Sequence, residues 1–244
     1  NGLVGRGYGR ECYEKALEYI CISATRYGIF TSLVMPHLKN NAELERKYGN
    51  MVRIVADTGQ GGWNHFSDDS RGKVYEGWPN SMNMFDGFIY WSKVTGRNQV
   101  IPDGDFIRLN TFNTDAEKES VISLQLIAGG PVTVADRHNN LKFYQNEEML
   151  ALNADRFVGK PLSGDVTDTE KNQIWYGQMS NGDYIVGLFN RDNEQKTYEL
   201  HLSEIGIEGE VSVRDLWKHK DEGKVSKLSV ELGPRACKVL KLTK

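Results

Sequence analysis

Met51-Val52-Arg53-Ile54-Val55-Ala56-Asp57 is the stretch that decides how this chain is read. Apolar and β-branched residues broken by one arginine describe a short buried strand of a parallel sheet, and the acid falls where such a strand ends. Glycines follow at positions 59, 61 and 62, then Trp63, so the chain enters a loop directly after the carboxylate. In barrels of parallel strands the C-terminal strand ends carry the chemistry. Asp57 is therefore a candidate catalytic residue; the alternative is that it caps the following turn or pairs with Arg53.

The flanking sequence supplies the context. Tyr13, Ala16, Leu17, Ile20, Cys21 and Ala24 share one face of a helix expected over 10–27, which Gly28 stops. Residues 29–35 then read as a strand closed by Pro36, and 41–48 as a charged helical stretch. Beyond Asp57, residues 58–77 are rich in Gly, Asp, Ser and Asn and read as a long loop, which in a compact domain is usually functional or disordered. A helix over 80–94 and a short strand over 99–101 lead to Asp103-Gly104-Asp105-Phe106. A helix over 114–128 follows, with Val121, Leu124, Ile127 and Ala128 on one face, then a strand over 131–135 and a helix over 145–152. Strand, loop and helix recur four times, the pattern of a parallel sheet with helical crossovers.

Four such units are half of a (β/α)8 barrel. A half barrel would leave parallel edges unpaired and its core open to water. About four further units are therefore expected before Asn1, since the complete fold takes about 250 residues. The first residues lack an initiator methionine and a signal peptide, as expected of a fragment or processed product.

After Gly159-Lys160-Pro161 the texture changes. Short runs of β-formers at 173–176, 184–190, 196–202, 209–216, 227–232 and 236–242 are separated by turn pairs such as Asn181-Gly182 and Glu222-Gly223. These predict an antiparallel β-sandwich. The expected organisation is a partial barrel over 1–163 and a sandwich over 164–244. Substrate contact, barrel support and oligomer contact are all compatible with the sandwich.

Composition narrows the classes. The chain has 244 residues, 39% of them hydrophobic, enough for a substantial core. A net charge of −3 without a basic block argues against a nucleic-acid surface, and no apolar run is long enough to span a bilayer. Cys12, Cys21 and Cys237 have no metal-ligand spacing and predict free, mostly buried thiols. The aromatic content of 10%, with five tryptophans, suits sugar stacking as well as core packing.

The motifs resemble those of glycoside hydrolase family 27, the α-galactosidases and α-N-acetylgalactosaminidases, over nearly the whole chain. The most specific are Val213-Arg214-Asp215-Leu216-Trp217-Lys218-His219-Lys220 and Ala236-Cys237-Lys238-Val239-Leu240-Lys241-Leu242, which resemble the closing sandwich of those enzymes. Leu152-Asn153-Ala154-Asp155 resembles the junction of barrel and sandwich, and residues 131–138, ending Asp136-Arg137-His138, the eighth barrel strand. Arg53-Ile54-Val55-Ala56-Asp57 matches an Arg-X-X-X-Asp motif of the sixth strand, and Asp103-Gly104-Asp105-Phe106 stands where the family has Asp-Pro-Asp-Met.

The resemblance implies a retaining exo-acting α-glycosidase, α-galactosidase-like, with Asp57 as general acid/base and Arg53 and Asp105 in the sugar pocket. Retention needs two carboxyl groups about 5 to 5.5 Å apart. The family's nucleophile lies in a Lys-X-Asp motif after the fourth strand; none stands upstream of Gly28, so it is expected before Asn1, on the missing N-terminal barrel half. Asp57 would need burial and a negative partner to hold its proton against the influence of Arg53. The stretch Ser32-Leu33-Val34-Met35-Pro36-His37 departs from the family. It has neither the Glu that reads a free 2-hydroxyl nor the usual Cys-X-Trp, which leaves arabinopyranosides and α-linked glucans open as substrates. His37, Phe106 and Trp63 complete the substrate-binding candidates, with Trp78 a further sugar platform and Trp91, Trp175 and Trp217 expected in the core.

Each reading has a structural counterpart. His37 and His138 also suit structural hydrogen bonding, Trp63 and Trp78 packing, and Asp103 and Asp105 a divalent metal. No metal or other cofactor is expected. A carbohydrate-binding protein of the same fold without hydrolysis is the alternative function. The expected partner is an oligosaccharide or glycoconjugate, with no nucleic acid or membrane; a homo-oligomer is compatible with the sequence. A secreted, periplasmic or lysosome-like compartment is expected in preference to the cytoplasm.

Overall fold

The computed structural model describes residues 9–34 and 43–244. Helix α1 (Gly9–Arg26) leads to strand β1 (Ser32–Leu33), and α2 (Glu43–Tyr48) to β2 (Met51–Arg53). A long excursion precedes α3 (Met84–Trp91); then come β3 (Ile101–Asp103) and α4 (Asp115–Ile127). The three strands form a parallel sheet in sequential order, with Ser32 opposite Met51 and Arg53 opposite Asp103. The strand expected over 131–135 is reduced to one parallel bridge, Val134 with Ile107. Pro131 has no N–H to begin a ladder. The sheet does not close into a barrel among the described residues.

Local chemistry sets the helices. Asn83 caps α3 by accepting the Asp86 N–H at 2.8 Å. Thr114 accepts the Glu117 N–H while Glu117 reaches back to the Thr114 N–H, a reciprocal capping box that starts α4. Val121, Leu124, Ile127 and Ala128 are all buried, as their spacing predicts. Helix α4 is also buried on its other side, at Ile122 and Leu126.

Helices α5 (Leu141–Tyr144) and α6 (Glu147–Ala154) lead into the antiparallel region. Its strands are β4 (Lys160–Pro161), β5 (Ile174–Gln178), β6 (Tyr184–Phe189), β7 (Lys196–His201), β8 (Val211–Asp215), β9 (Lys220–Val225), β10 (Lys227–Leu232) and β11 (Cys237–Thr243). Six of them form one sheet in the order β4-β5-β6-β11-β8-β9, and β10 pairs with β7. The pair Glu222-Gly223, expected as a turn, lies inside β9. Gly223 sits opposite Val213 while Asp221 sits opposite Arg214, so Glu222 is the extra residue of a bulge. Gly223 takes φ +87° there, a conformation its missing side chain permits.

Alternation along β6 divides its side chains between two cores. Val186 and Leu188 pack inside the antiparallel region with Leu200, Leu228 and Leu240. Ile185 and Phe189 face the other way and join Trp175, Leu216 and Val239 in a core that also holds Val52, Phe88 and Leu124. That second core runs without a break from the parallel sheet to the antiparallel one. The antiparallel sheet begins at Lys160, ahead of the boundary expected at residue 164.

One buried ion pair pins this seam. Arg191, just after β6, donates through Nη1 to Asp86 Oδ1 at 2.7 Å, and both side chains are almost wholly buried. Its Nε donates to Ser67 Oγ at 3.0 Å, and its Nη2 to the Ser67 carbonyl and to Asn83 Oδ1. Asp86 Oδ2 accepts from the Gly72 N–H (2.7 Å) and from Asn83 Nδ2 (2.8 Å). Burial lowers the Arg191 guanidinium to about 10, and Asp86 opposes that shift.

Candidate active site

The parallel strands end on one face, and Arg53, the last residue of β2, is the hub there. Val52, Ile54 and Val55 are all fully buried, so strand alternation fails after Arg53 and the chain bends. The bend returns Asp57 to Arg53: Nη1 donates to Asp57 Oδ1 at 3.1 Å. The same nitrogen lies 2.9 Å from Asp105 Oδ2, and Arg53 Nε lies 3.7 Å from Asp103 Oδ2. Three carboxylates thus converge on a single cation.

The Asp103-Gly104-Asp105 turn holds its geometry by local bonds. The Asp105 N–H donates to Asp103 Oδ1 at 2.9 Å, and Asp105 takes φ +69°, a left-handed conformation that aspartate tolerates better than most residues. Gly104 lies against Phe88 and Gln125, where a Cβ would come within 2.9 Å of both side chains. Asp105 is buried, and its Oδ2 accepts the Thr58 N–H (2.7 Å) and hydroxyl (2.8 Å). Both of these bonds and the Arg53 ion pair fall on Oδ2; among the described residues no donor takes Oδ1. Asp57 differs sharply, and the burial expected of a proton donor is not met among the described residues. Its side chain is 86% exposed, and Arg53 is its partner.

The expected residues separate into groups. Arg53, Asp57 and Asp105 come together. Phe106, 47% exposed, sits beside Asp105 at the rim. Trp63 does not serve as a sugar platform: it is 5% exposed, packs edge-on against Phe66 and lies under the Arg235 guanidinium, so neither ring face is open. His37 lies outside the described residues. His138 is exposed at the start of a helical turn. Asp136 binds the next loop, accepting from the Leu109 N–H (2.7 Å), Asn140 Nδ2 (2.9 Å) and the Tyr144 hydroxyl (2.9 Å). Burial raises the Asp136 carboxyl, but these hydrogen bonds bring it below its ordinary range.

Two residues of the long loop gain importance from the structure. His65 stands on a single turn of π-helix, Asn64–Asp68, a form frequent at functional sites. It lines a cavity of about 10 Å³ with Thr58, Phe106 and Arg108. Burial holds its imidazole below the usual value, with Asp105 and Asp69 pulling the other way. Trp78 donates its indole N–H to the Arg53 carbonyl at 3.3 Å and is half-buried. The sequence marks neither distinction, because exposure of a loop side chain depends on how the loop folds back.

The described residues thus form an open parallel α/β sheet with carboxylates gathered at its C-terminal strand ends, packed on an antiparallel region, and the chain is similar to glycoside hydrolases of the isomalto-dextranase and α-galactosidase kinds. Residues 169–242 match the family described as the alpha galactosidase C-terminal beta sandwich domain. The isomalto-dextranase of Arthrobacter globiformis is 39% identical over 254 residues, covering 99% of this chain and 39% of that protein. The solved structure of the Arthrobacter globiformis T6 isomalto-dextranase complexed with panose superimposes with a TM-score of 0.89 at 37% identity, covering 96% of this chain and 41% of that one. The α-galactosidase of Oryza sativa subsp. japonica is 28% identical over 229 residues, 89% of this chain and 50% of its own length. A family-27 β-L-arabinopyranosidase from Geobacillus stearothermophilus, TM-score 0.75 at 22% identity, shares the fold. The chain spans half or less of the length of these two curated relatives.

Proposed function

We propose that this chain is the C-terminal part of a retaining exo-α-glycosidase whose substrate is an α-glucan of the dextran type. The observation that carries the reading is the Arg53 hub, which gathers Asp57, Asp103 and Asp105 at adjacent parallel strand ends and leaves Asp57 facing outward. In this reading Asp57 protonates the glycosidic oxygen while a carboxylate from barrel strands outside this chain attacks the anomeric carbon. The bond to the leaving sugar breaks, and a glycosyl-enzyme ester forms. Asp57, now a carboxylate, takes a proton from water, which attacks the ester and releases the sugar with its configuration retained. Even while Asp57 holds its proton, Asp103 and Asp105 against one arginine leave a negative surplus that suits the oxocarbenium-like transition state. In this reading Asp105 Oδ1 accepts a sugar hydroxyl, and Phe106 lines the same pocket.

The glucan is preferred to a galactoside on one ground. The relative whose name refers to dextran matches this chain at 39% identity, against 28% for the rice α-galactosidase. The test is to express the full-length protein and assay it on dextran and on p-nitrophenyl α-galactoside. Reducing sugar released from dextran, with slower or no turnover of the galactoside, is expected. Faster galactoside turnover overturns the substrate assignment, and binding of either sugar without turnover favours the carbohydrate-binding alternative.

A further inference from the structure

We infer that the turn carrying Trp78 is the platform for the leaving-side sugar, so that this half of the molecule recognises the glucose unit beyond the bond that is cut. The inference rests on the reading of Asp57 as proton donor.

Backbone parity places Trp78. The Met51 N–H donates to the Thr31 carbonyl at 3.1 Å, on the β1 side, and the Ile54 N–H to the Asp103 carbonyl at 3.0 Å, on the β3 side. Amide and carbonyl of one residue in a parallel strand point the same way, and adjacent residues alternate. The Arg53 carbonyl therefore faces the end of β1, where the Trp78 indole takes it at 3.3 Å. One residue thus fixes two groups: the Arg53 guanidinium holds Asp57, and its carbonyl holds the indole edge.

The turn is built before any ligand arrives. The Tyr75 N–H donates to the Asn80 carbonyl at 2.9 Å, and Asn80 Nδ2 donates to the carbonyls of Gly77 (2.9 Å) and Tyr75 (3.3 Å). Asn80 is itself buried. Val74 at 48%, Tyr75 at 39% and Met82 at 36% exposure flank the half-buried Trp78, with Lys73 and Glu76 also exposed beside them. Trp63, Trp91 and Trp175 are buried, and Trp217 packs on the core, so Trp78 is the tryptophan held at the rim.

Chemistry selects the occupant. A general acid contacts the oxygen that departs, so the leaving sugar must lie next to Asp57. Tryptophan offers a rigid ring with a polar edge. Here the polar edge is tied to the strand end, and the apolar face of a pyranose can lie on the ring.

The decisive experiment compares Trp78→Ala and Trp78→Phe with wild type, all full-length, on dextran and on α-isomaltosyl fluoride. Fluoride leaves without a sugar on the platform. Trp78→Ala should lower kcat/KM on dextran by about tenfold, mainly through KM, with a several-fold smaller loss on the fluoride. Trp78→Phe, which keeps a ring, should recover most of the dextran activity. Equal losses on both substrates, or a Phe variant as poor as Ala, would show that the indole only supports Arg53 and would overturn the inference. A wild-type protein inactive on both substrates removes the proposed function, and the platform with it; an active wild type with equal losses removes the platform alone.

Discussion

At the seam Arg191 meets one carboxylate, Asp86, and their side chains are 1% and 0% exposed; at the strand ends Arg53 meets three, and one of them, Asp57, is 86% exposed. The seam cluster is matched in charge and hydrogen-bonded on both partners, the condition under which a buried ion pair offsets its desolvation cost. The strand-end cluster is unmatched. Asp105 is committed through one oxygen to Thr58 and Arg53, while Asp57 has a single anchor. The same residue types therefore serve two purposes: complete satisfaction fixes the packing of two sheets, and incomplete satisfaction leaves a carboxyl group for chemistry.

The contrast breaks first if Asp57 is not the open member. In the full-length enzyme, Asp57→Ala should reduce kcat/KM on dextran by about 10² to 10⁴, with a smaller loss on an aryl glycoside whose leaving group needs little protonation. Its thermal midpoint should stay near wild type, because exposed pairs contribute about 0 to 1 kcal/mol. Losses of equal size on both substrates would assign Asp57 to structure.

Asp86→Ala should do the reverse. Stripping Arg191 of its buried partner should cost about 3 to 5 kcal/mol in urea denaturation of the full-length protein. Replacing both, Asp86→Leu with Arg191→Met, should recover a large part of that loss. A single-variant cost under about 1 kcal/mol, an exposed-pair value, would mean that the seam is not sealed.

The smallest effect expected concerns His65, beside the open cluster. Its imidazole is held below the ordinary value of 6.5, so the unfolded chain binds the proton more readily than the folded one. The neutral ring's contribution is complete above 6.5 and falls as the pH drops through that value toward the lower, folded one. Against His65→Gln, wild type should lose more stability between pH 7 and 5, read as the difference in denaturation midpoints. Parallel pH profiles would remove His65 as a titrating neighbour of the site.

Much of this was legible in the chain itself. Periodicity located α1, α4 and most antiparallel strands, although α4 buries more than the face its spacing marks and Ile20 of α1 is exposed. The helix expected from Thr114 begins there, and its capping box with Glu117 came from the structure. Asp57 was found as the acid closing a buried apolar run and Arg53 through the motif it shares with that acid, and the bend at Ile54 and Val55 joins them. Other features depend on long-range approach. Nothing local distinguishes Trp63, folded inward under Arg235, from Trp78, tied to a strand end. Glu222-Gly223 has the composition of a turn, yet its neighbour β8 takes it up as a bulge. Asp86 and Arg191 are 105 positions apart, and only folding makes them partners.

The unbroken core has a practical consequence. Phe189 and Val239 lie against the same apolar mass as Phe88 and Leu124, so a cut near residue 164 would split one hydrophobic body. Each piece would carry a bare greasy wall into water and should clump instead of standing alone. Grafting the sandwich of a relative onto this chain would accordingly mean transplanting the opposing surfaces of α3 and α4 with it.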